Sequence, residues 1–120
     1  MPDDGRRAGQ NSPRKLRPAR EVQRILRTGS AARSRRVVVF LARGSGPPRA
    51  AWVAGRKVGG AVARNRARRL LREAWMAVAP RVDEGWEAVL VARGDIVGAR
   101  APEIIEEVGE LLGRAGVLSR

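Results

Sequence analysis

Between Arg56 and Arg72 the chain places seven cations and no acid: Arg56, Lys57, Arg64, Arg66, Arg68, Arg69 and Arg72, with Glu73 the next residue. A helix turns by about 100° per residue. On such a helix Arg64, Arg68 and Arg72 share one edge, and Asn65, Arg66 and Arg69 continue round the same side. Ala63, Ala67, Leu70, Leu71, Ala74 and Val78 take the opposite side, with Trp75 at its margin. One apolar stripe and one broad arginine face follow. Arginines this close repel one another unless a polyanion neutralises them, and the planar guanidinium fork suits bidentate contact with phosphate. The pattern predicts a nucleic-acid docking face.

The chain carries little that could do chemistry itself. It has no histidine and no cysteine, which removes disulfides, thiolate metal sites, cysteine nucleophiles and imidazole acid–base catalysis. Glu73 is the only acid between Val22 and Arg81, so the several carboxylates of a two-metal nuclease site are hard to gather among the cations. No catalytic residue and no protein-held metal are expected.

The charge is uneven. The formal net charge is +13 over 120 residues, but residues 1–80 hold 20 Lys and Arg against 4 acids, and residues 81–120 hold 5 against 8. A polyanionic partner is the natural counterpart of the first two thirds. Only Lys15 and Lys57 are lysine; a GC-rich genome explains that ratio at least as well as phosphate recognition does. No apolar run approaches the ~20 residues that span a bilayer, and Met1–Arg7 lacks the apolar core of a secretory signal. A cytoplasmic protein without a membrane partner or an obligate protein partner is expected.

Residues 1–14 are polar, rich in Gly, Pro, Asn and Arg, and read as a disordered basic tail. Residues 15–120 read as one domain. Pro18 opens a short helix that Gly29 closes in a left-handed cap. Arg35–Arg43 is a strand around Val37–Leu41, and Ala50–Ala54 is its return strand across the turn Gly44–Pro48. A short extra strand is placed near Ser30–Arg33. The basic helix occupies about 61–79, stopped by Pro80. Trp86–Arg93, apolar without interruption from Ala88 to Ala92, is a strand central in its sheet. Pro102 opens a last amphipathic helix, along which Ile104, Ile105, Val108, Leu111, Leu112 and Ala115 form the apolar stripe and Glu103, Glu106, Glu107 and Glu110 a solvated face; Gly116 caps it. The order α-β-β-β-α-β-α makes an α+β fold, a two-layer sandwich on a four-stranded mixed sheet.

Gly55-Arg56-Lys57-Val58-Gly59-Gly60-Ala61-Val62 followed by Arg64-Asn65-Arg66-Ala67-Arg68-Arg69-Leu70-Leu71-Arg72-Glu73 resembles the protein component of bacterial ribonuclease P. The pattern from Leu16 to Gly29 and the strand end Val91-Ala92-Arg93 agree with that family, and the likeness runs from Leu16 to Leu118. The resemblance implies a left-handed β-α-β crossover, against the usual hand, in a fold like the second domain of one of the small-subunit ribosomal proteins. It implies a catalytic RNA as partner, precursor tRNA as substrate, removal of the 5′ leader, and Mg²⁺ held by the RNA. By the same resemblance Arg56, Lys57, Arg64, Asn65, Arg66, Arg68, Arg69 and Arg72 meet the catalytic RNA. The leader would cross a cleft between the sheet and the first helix, where Phe40 offers a stacking platform, Val22 stands in place of the family's usual phenylalanine, and Arg17, Arg20, Arg36 and Arg43 flank. For Phe40 core packing competes evenly with stacking; Trp52, Trp75 and Trp86 are expected in the core. A ribosomal or other structural RNA-binding protein is the alternative. A DNA-binding regulator ranks last, because the basic helix follows a strand and a Gly-rich loop rather than another helix.

Overall fold

The computed structural model describes residues 14–15 and 19–119. Residues 1–13 of the expected tail, Arg17 and Pro18 lie outside them. In chain order the elements are β1 (Arg14–Lys15), α1 (Ala19–Thr28), β2 (Ser30–Arg33), β3 (Val37–Arg43), β4 (Arg49–Ala54), α2 (Ala61–Val78), β5 (Trp86–Ala92) and α3 (Ala101–Arg114). Single 3₁₀ turns at Arg56–Val58, Ala79–Arg81 and Gly94–Ile96 join them. The four long strands form the expected mixed sheet, ordered β4-β5-β3-β2, and the two-residue β1 adds a parallel edge beside β4.

The expected hairpin of β3 with β4 is not there. β5 inserts between them, antiparallel to β3 from Val37↔Ala92 to Arg43↔Trp86 and parallel to β4 from Arg49↔Glu87 to Ala54↔Ala92. The hairpin is instead β2 with β3. The reason is apolar content. β5 is the strand with an unbroken apolar centre, and a strand buried on both faces belongs between two neighbours. Reaching that slot after β4 requires a parallel crossover, which α2 supplies.

Strand alternation divides the sheet into two faces. Val37, Val39, Leu41, Ala50, Ala54, Ala88, Leu90 and Ala92 pack with the stripes of α2 and α3 in the main core. Ala67, Leu70, Leu71, Ala74 and Val78 are buried as expected, and Trp75, expected at the margin, is fully buried. Trp52 and Trp86 pack half-buried against the same core. On the opposite face a smaller cluster forms around Ile25 of α1, Ala51 and Val89.

Pro80 ends α2 within a 3₁₀ turn, and Gly116 caps α3 at φ 79°. Gly29 has a different role from the expected cap. Its φ is not positive; its bare Cα lies where a Cβ would stand 2.7 Å from the carbonyl oxygens of both Ile25 and Leu41. Glycine is needed there because two backbones approach, not because the chain turns left-handed. Gly29→Ala is therefore expected to destabilise by about 1–3 kcal/mol. Gly109→Ala, inside α3 with nothing within 4 Å of its Cβ position, should stabilise by about 0.5–1 kcal/mol. Urea unfolding of the two variants checks the pair.

Candidate nucleic-acid interface

Helix α2 presents the basic face. Burial of Leu70, Leu71, Ala74 and Trp75 fixes its rotation, so Arg66, Arg69 and Arg72 are exposed and Arg64 and Arg68 half-exposed. From Arg64 to Arg72 is eight residue steps, about 12 Å along the axis. Among the described residues none of Arg56, Lys57, Arg64, Arg66, Arg68, Arg69 and Arg72 forms an ion pair with an acid. Two of them are held by neutral groups. Arg68 Nη2 donates to the side-chain oxygen of Asn65, and Arg66 Nη2 donates to the carbonyl of Ala99 at 2.9 Å. Asn65 thus orients an arginine of its own helix. Arg56 and Lys57 stand exposed on the 3₁₀ turn, anchored by buried Val58, and Gly59 at φ 137° turns the chain into α2.

A second surface lies on the α1 side of the sheet. Register places three rows across β3, β5 and β4: Val38–Val91–Val53, Phe40–Val89–Ala51 and Ala42–Glu87–Arg49. Phe40, Val53 and Val91 are half-buried, as is Val22 of α1. The structure therefore brings Val22 and Phe40 together on one partly open apolar floor. Phe40 is both packed and accessible, so neither a closed core position nor a free platform describes it fully.

Glu87 closes the other end of that floor. Its side chain is 4% exposed. Arg24 Nη2 of α1 donates to its Oε1 at 2.7 Å, Arg49 Nη2 of β4 donates to its Oε2, and Arg49 also reaches Glu21 of α1 at 3.3 Å. Gly44 lies so close that a Cβ there would stand 2.6 Å from the Glu87 carboxyl carbon. Burial pushes the Glu87 carboxyl up, but the hydrogen bonds and positive charges of Arg49 and Arg24 outweigh it and hold it below the ordinary carboxylate value. The bond to Glu87 raises Arg49 in turn. Sequence reasoning missed this group. The available signal was an acid at the head of an otherwise apolar strand, since a buried charge needs a partner.

The flanking arginines separate. Arg20 is exposed on α1. Arg36 turns to α3, where it meets Glu103 at 3.2 Å and Glu107 at 3.4 Å, while its backbone N–H donates to Glu107. Arg43 alternates with Phe40 onto the other face and stacks over the Trp86 ring at 4.6 Å. Neither Arg36 nor Arg43 lines the α1 floor, because strand alternation and the glutamates of α3 draw them away. Glu103 and Glu107 accordingly are not merely a solvated face; the Arg100 backbone N–H and Arg36 hold the Glu103 carboxyl below its ordinary value.

Among the described residues no group of three or more acids is placed to hold a metal ion, and Glu21 and Glu87 are already committed to arginine. Among the described residues no helix is long and apolar enough to cross a membrane.

Because the folded Glu87 carboxyl titrates below the unfolded value of about 4.3, its contribution is complete above that pH and is lost as pH falls through the folded value. Glu87→Gln should cost about 1–3 kcal/mol at pH 7 and should lose less further stability than the parent between about pH 5 and pH 3. Equal acid sensitivity in thermal melts of both proteins would assign that sensitivity to other carboxylates.

The chain is similar to known proteins. The family described as Ribonuclease P matches residues 11–116. The ribonuclease P protein component of Symbiobacterium thermophilum is 38% identical over 108 residues, 88% of this chain and 94% of that one. The component from Pelotomaculum thermopropionicum is 35% identical over 103 residues, 85% and 92% of the two chains. Among solved structures, the ribonuclease P protein from Thermotoga maritima has a TM-score of 0.74 at 25% identity, covering 83% of this chain and 96% of its own. That from Staphylococcus aureus has a TM-score of 0.76 at 21% identity, over 88% and 97%, a likeness of fold. With the match spanning both the arginine helix and the sheet that carries it, the chain belongs to the ribonuclease P protein family and is the protein subunit of that tRNA-processing ribonucleoprotein, whose catalyst is its RNA.

Proposed function

We propose that α2 docks this subunit on the catalytic RNA, and that the half-open floor between α1 and the sheet takes the 5′ leader of precursor tRNA. The observation that carries the reading is the row of arginines on α2 that find no acid within the described chain. Unneutralised charge on a rigid, well-packed helix is stabilised by RNA phosphates and by the release of their counterions. Arg56, Lys57, Arg64, Arg66, Arg68, Arg69 and Arg72 supply the charge, and Asn65 sets Arg68. The floor offers Phe40 as a surface for one base, with Val22, Val53 and Val91 around it, and exposed Arg20 of α1 is assigned to the same leader. Arg17, whose sequence position adjoins α1, belongs to the same proposal.

The protein's part is electrostatic and positional. By spreading cations between two polyanions it lowers the repulsion that opposes their approach, and by holding the leader it orients the scissile bond. Hydrolysis itself uses Mg²⁺ held by the RNA and substrate. The work is done in the cytoplasm, where precursor tRNA is found. A purely structural RNA-binding role, as in a ribosome, has no use for an open apolar floor beside α1.

Single-turnover cleavage of precursor tRNA by a bacterial ribonuclease P RNA at low Mg²⁺ tests the reading. The parent chain should stimulate formation of the mature 5′ end. Arg64→Ala, Arg68→Ala and Arg69→Ala should each weaken RNA binding and flatten its log–log salt dependence by about one for every phosphate left without its arginine. A folded chain that binds RNA without stimulating cleavage would favour the structural role.

Phe40→Ala should leave affinity for the catalytic RNA unchanged and cost roughly 1–3 kcal/mol in affinity for precursor over leaderless tRNA. A loss confined to thermal stability would make Phe40 a packing residue alone.

A further inference from the structure

Two large apolar side chains stand out as exposed among the described residues, Val62 at 83% and Val97 at 59%. Single exposed apolar residues are ordinary. Val97, however, stands beside the basic helix α2. Between the first turns of α2 and the segment after the Gly94–Ile96 turn lies a concavity of about 200 Å³, lined by Ala63, Arg66, Ala67, Ile96, Val97 and Gly98. Val97 forms one wall. Val62 precedes Arg66 by four residues, so it projects from the same side of α2 one turn earlier.

Among the described residues Arg66 is the cation of this face tied to another segment of the chain. Its Nη2 donates to the Ala99 carbonyl at 2.9 Å, which fixes the guanidinium plane at the edge of the concavity. A phosphate gains nothing from apolar walls. A nucleobase gains from both parts: its edges and face cover the apolar surface, and its π system stacks on a guanidinium plane. Because Arg66 is already held, little side-chain freedom remains to be lost on binding. The surrounding unpaired cations identify the owner of the base as a polyanion.

We propose that this concavity receives one unstacked nucleobase of the RNA partner, with Arg66 as the stacking wall and Ala63, Ile96 and Val97 as the apolar seat. The proposal rests on the reading of α2 as the RNA-docking face and adds to it a base contact, distinct from the phosphate contacts of Arg64, Arg68 and Arg69.

The experiment is binding of the full chain to a bacterial ribonuclease P RNA across a series of salt concentrations. Arg66→Lys keeps the charge but loses the plane and the geometry of the bond to Ala99. It should weaken binding roughly 5- to 150-fold, the worth of one stacked base, with the log–log salt slope unchanged. Val97→Ser, at an exposed position that does not threaten the fold, should weaken binding in the same direction, again at constant slope. Ala63→Leu, which fills the seat from the α2 side, should do likewise and serves if Arg66→Lys proves unstable in a thermal melt. Parent-like affinity in Val97→Ser and Ala63→Leu overturns the proposal, as does parent-like affinity and slope in Arg66→Lys, which would make Arg66 a phosphate ligand that lysine replaces. Absence of RNA binding by the parent chain would overturn the docking reading itself, and this proposal with it.

Discussion

The burial of one side of α2 holds the rest of the interface in place. Arg64, Arg68 and Arg72 stand at i, i+4 intervals, and Arg66, Arg69 and Arg72 at i, i+3. Each such like-charge pair costs about 0.2–0.5 kcal/mol on an exposed helix, so the four pairs together oppose the helix by about 1–2 kcal/mol. Against this, Leu70, Leu71, Trp75 and Val78 are buried against the sheet and α3, each contributing about 1.5–3 kcal/mol. The apolar side wins by a wide margin. The molecule can therefore carry a row of cations with no acid paired to them and still keep the helix formed and fixed in rotation. An unneutralised face of this kind remains available to a partner; paired arginines would first have to give up their glutamates.

The two faces of the sheet divide the tasks. One face is closed by α2 and α3 and makes the main core. The other is only partly covered by α1, and its apolar floor ends at Glu87. That carboxylate joins α1 to β5 and β4 through Arg24 and Arg49, and Gly44 leaves room for it. In a chain with such an excess of cations, one buried acid between two arginines decides how α1 lies over the floor. A buried ion pair adds little net stability; its effect here is to fix the relative placement of an element that has only Ile25 fully buried to hold it. The arginines then fall into kinds. Arg24, Arg36 and Arg49 are bound to glutamates and position elements, Arg43 lies on Trp86, and those of α2 meet no acid among the described residues.

Much of this was legible in the residues. The stripe of α2, its boundaries, the central placement of β5 and the amphipathic α3 all follow from local periodicity and agree with the structure. The errors came where the answer depended on distant residues. β3 and β4 have the composition of a hairpin, and nothing in Val37–Ala54 alone says that β5, more than thirty residues further on, will separate them. Gly29 looked like a left-handed cap because glycine often is one; its necessity comes from the Leu41 carbonyl across the sheet. Arg36 and Arg43 looked like cleft residues until α3 and Trp86 supplied partners for them.

What the sequence by itself determined is the character of the basic helix, its cations, its buried stripe and the absence of histidine and cysteine chemistry. These depend on a 3.6-residue repeat and on composition, which any stretch of chain carries within itself. What only the tertiary structure decided is which strands are neighbours, which arginines are neutralised, and that the Glu87 cluster and the Arg66 concavity exist. Strand pairing and ion pairing join residues far apart in the chain, and their partners are chosen by the packing of the whole sheet rather than by any local pattern.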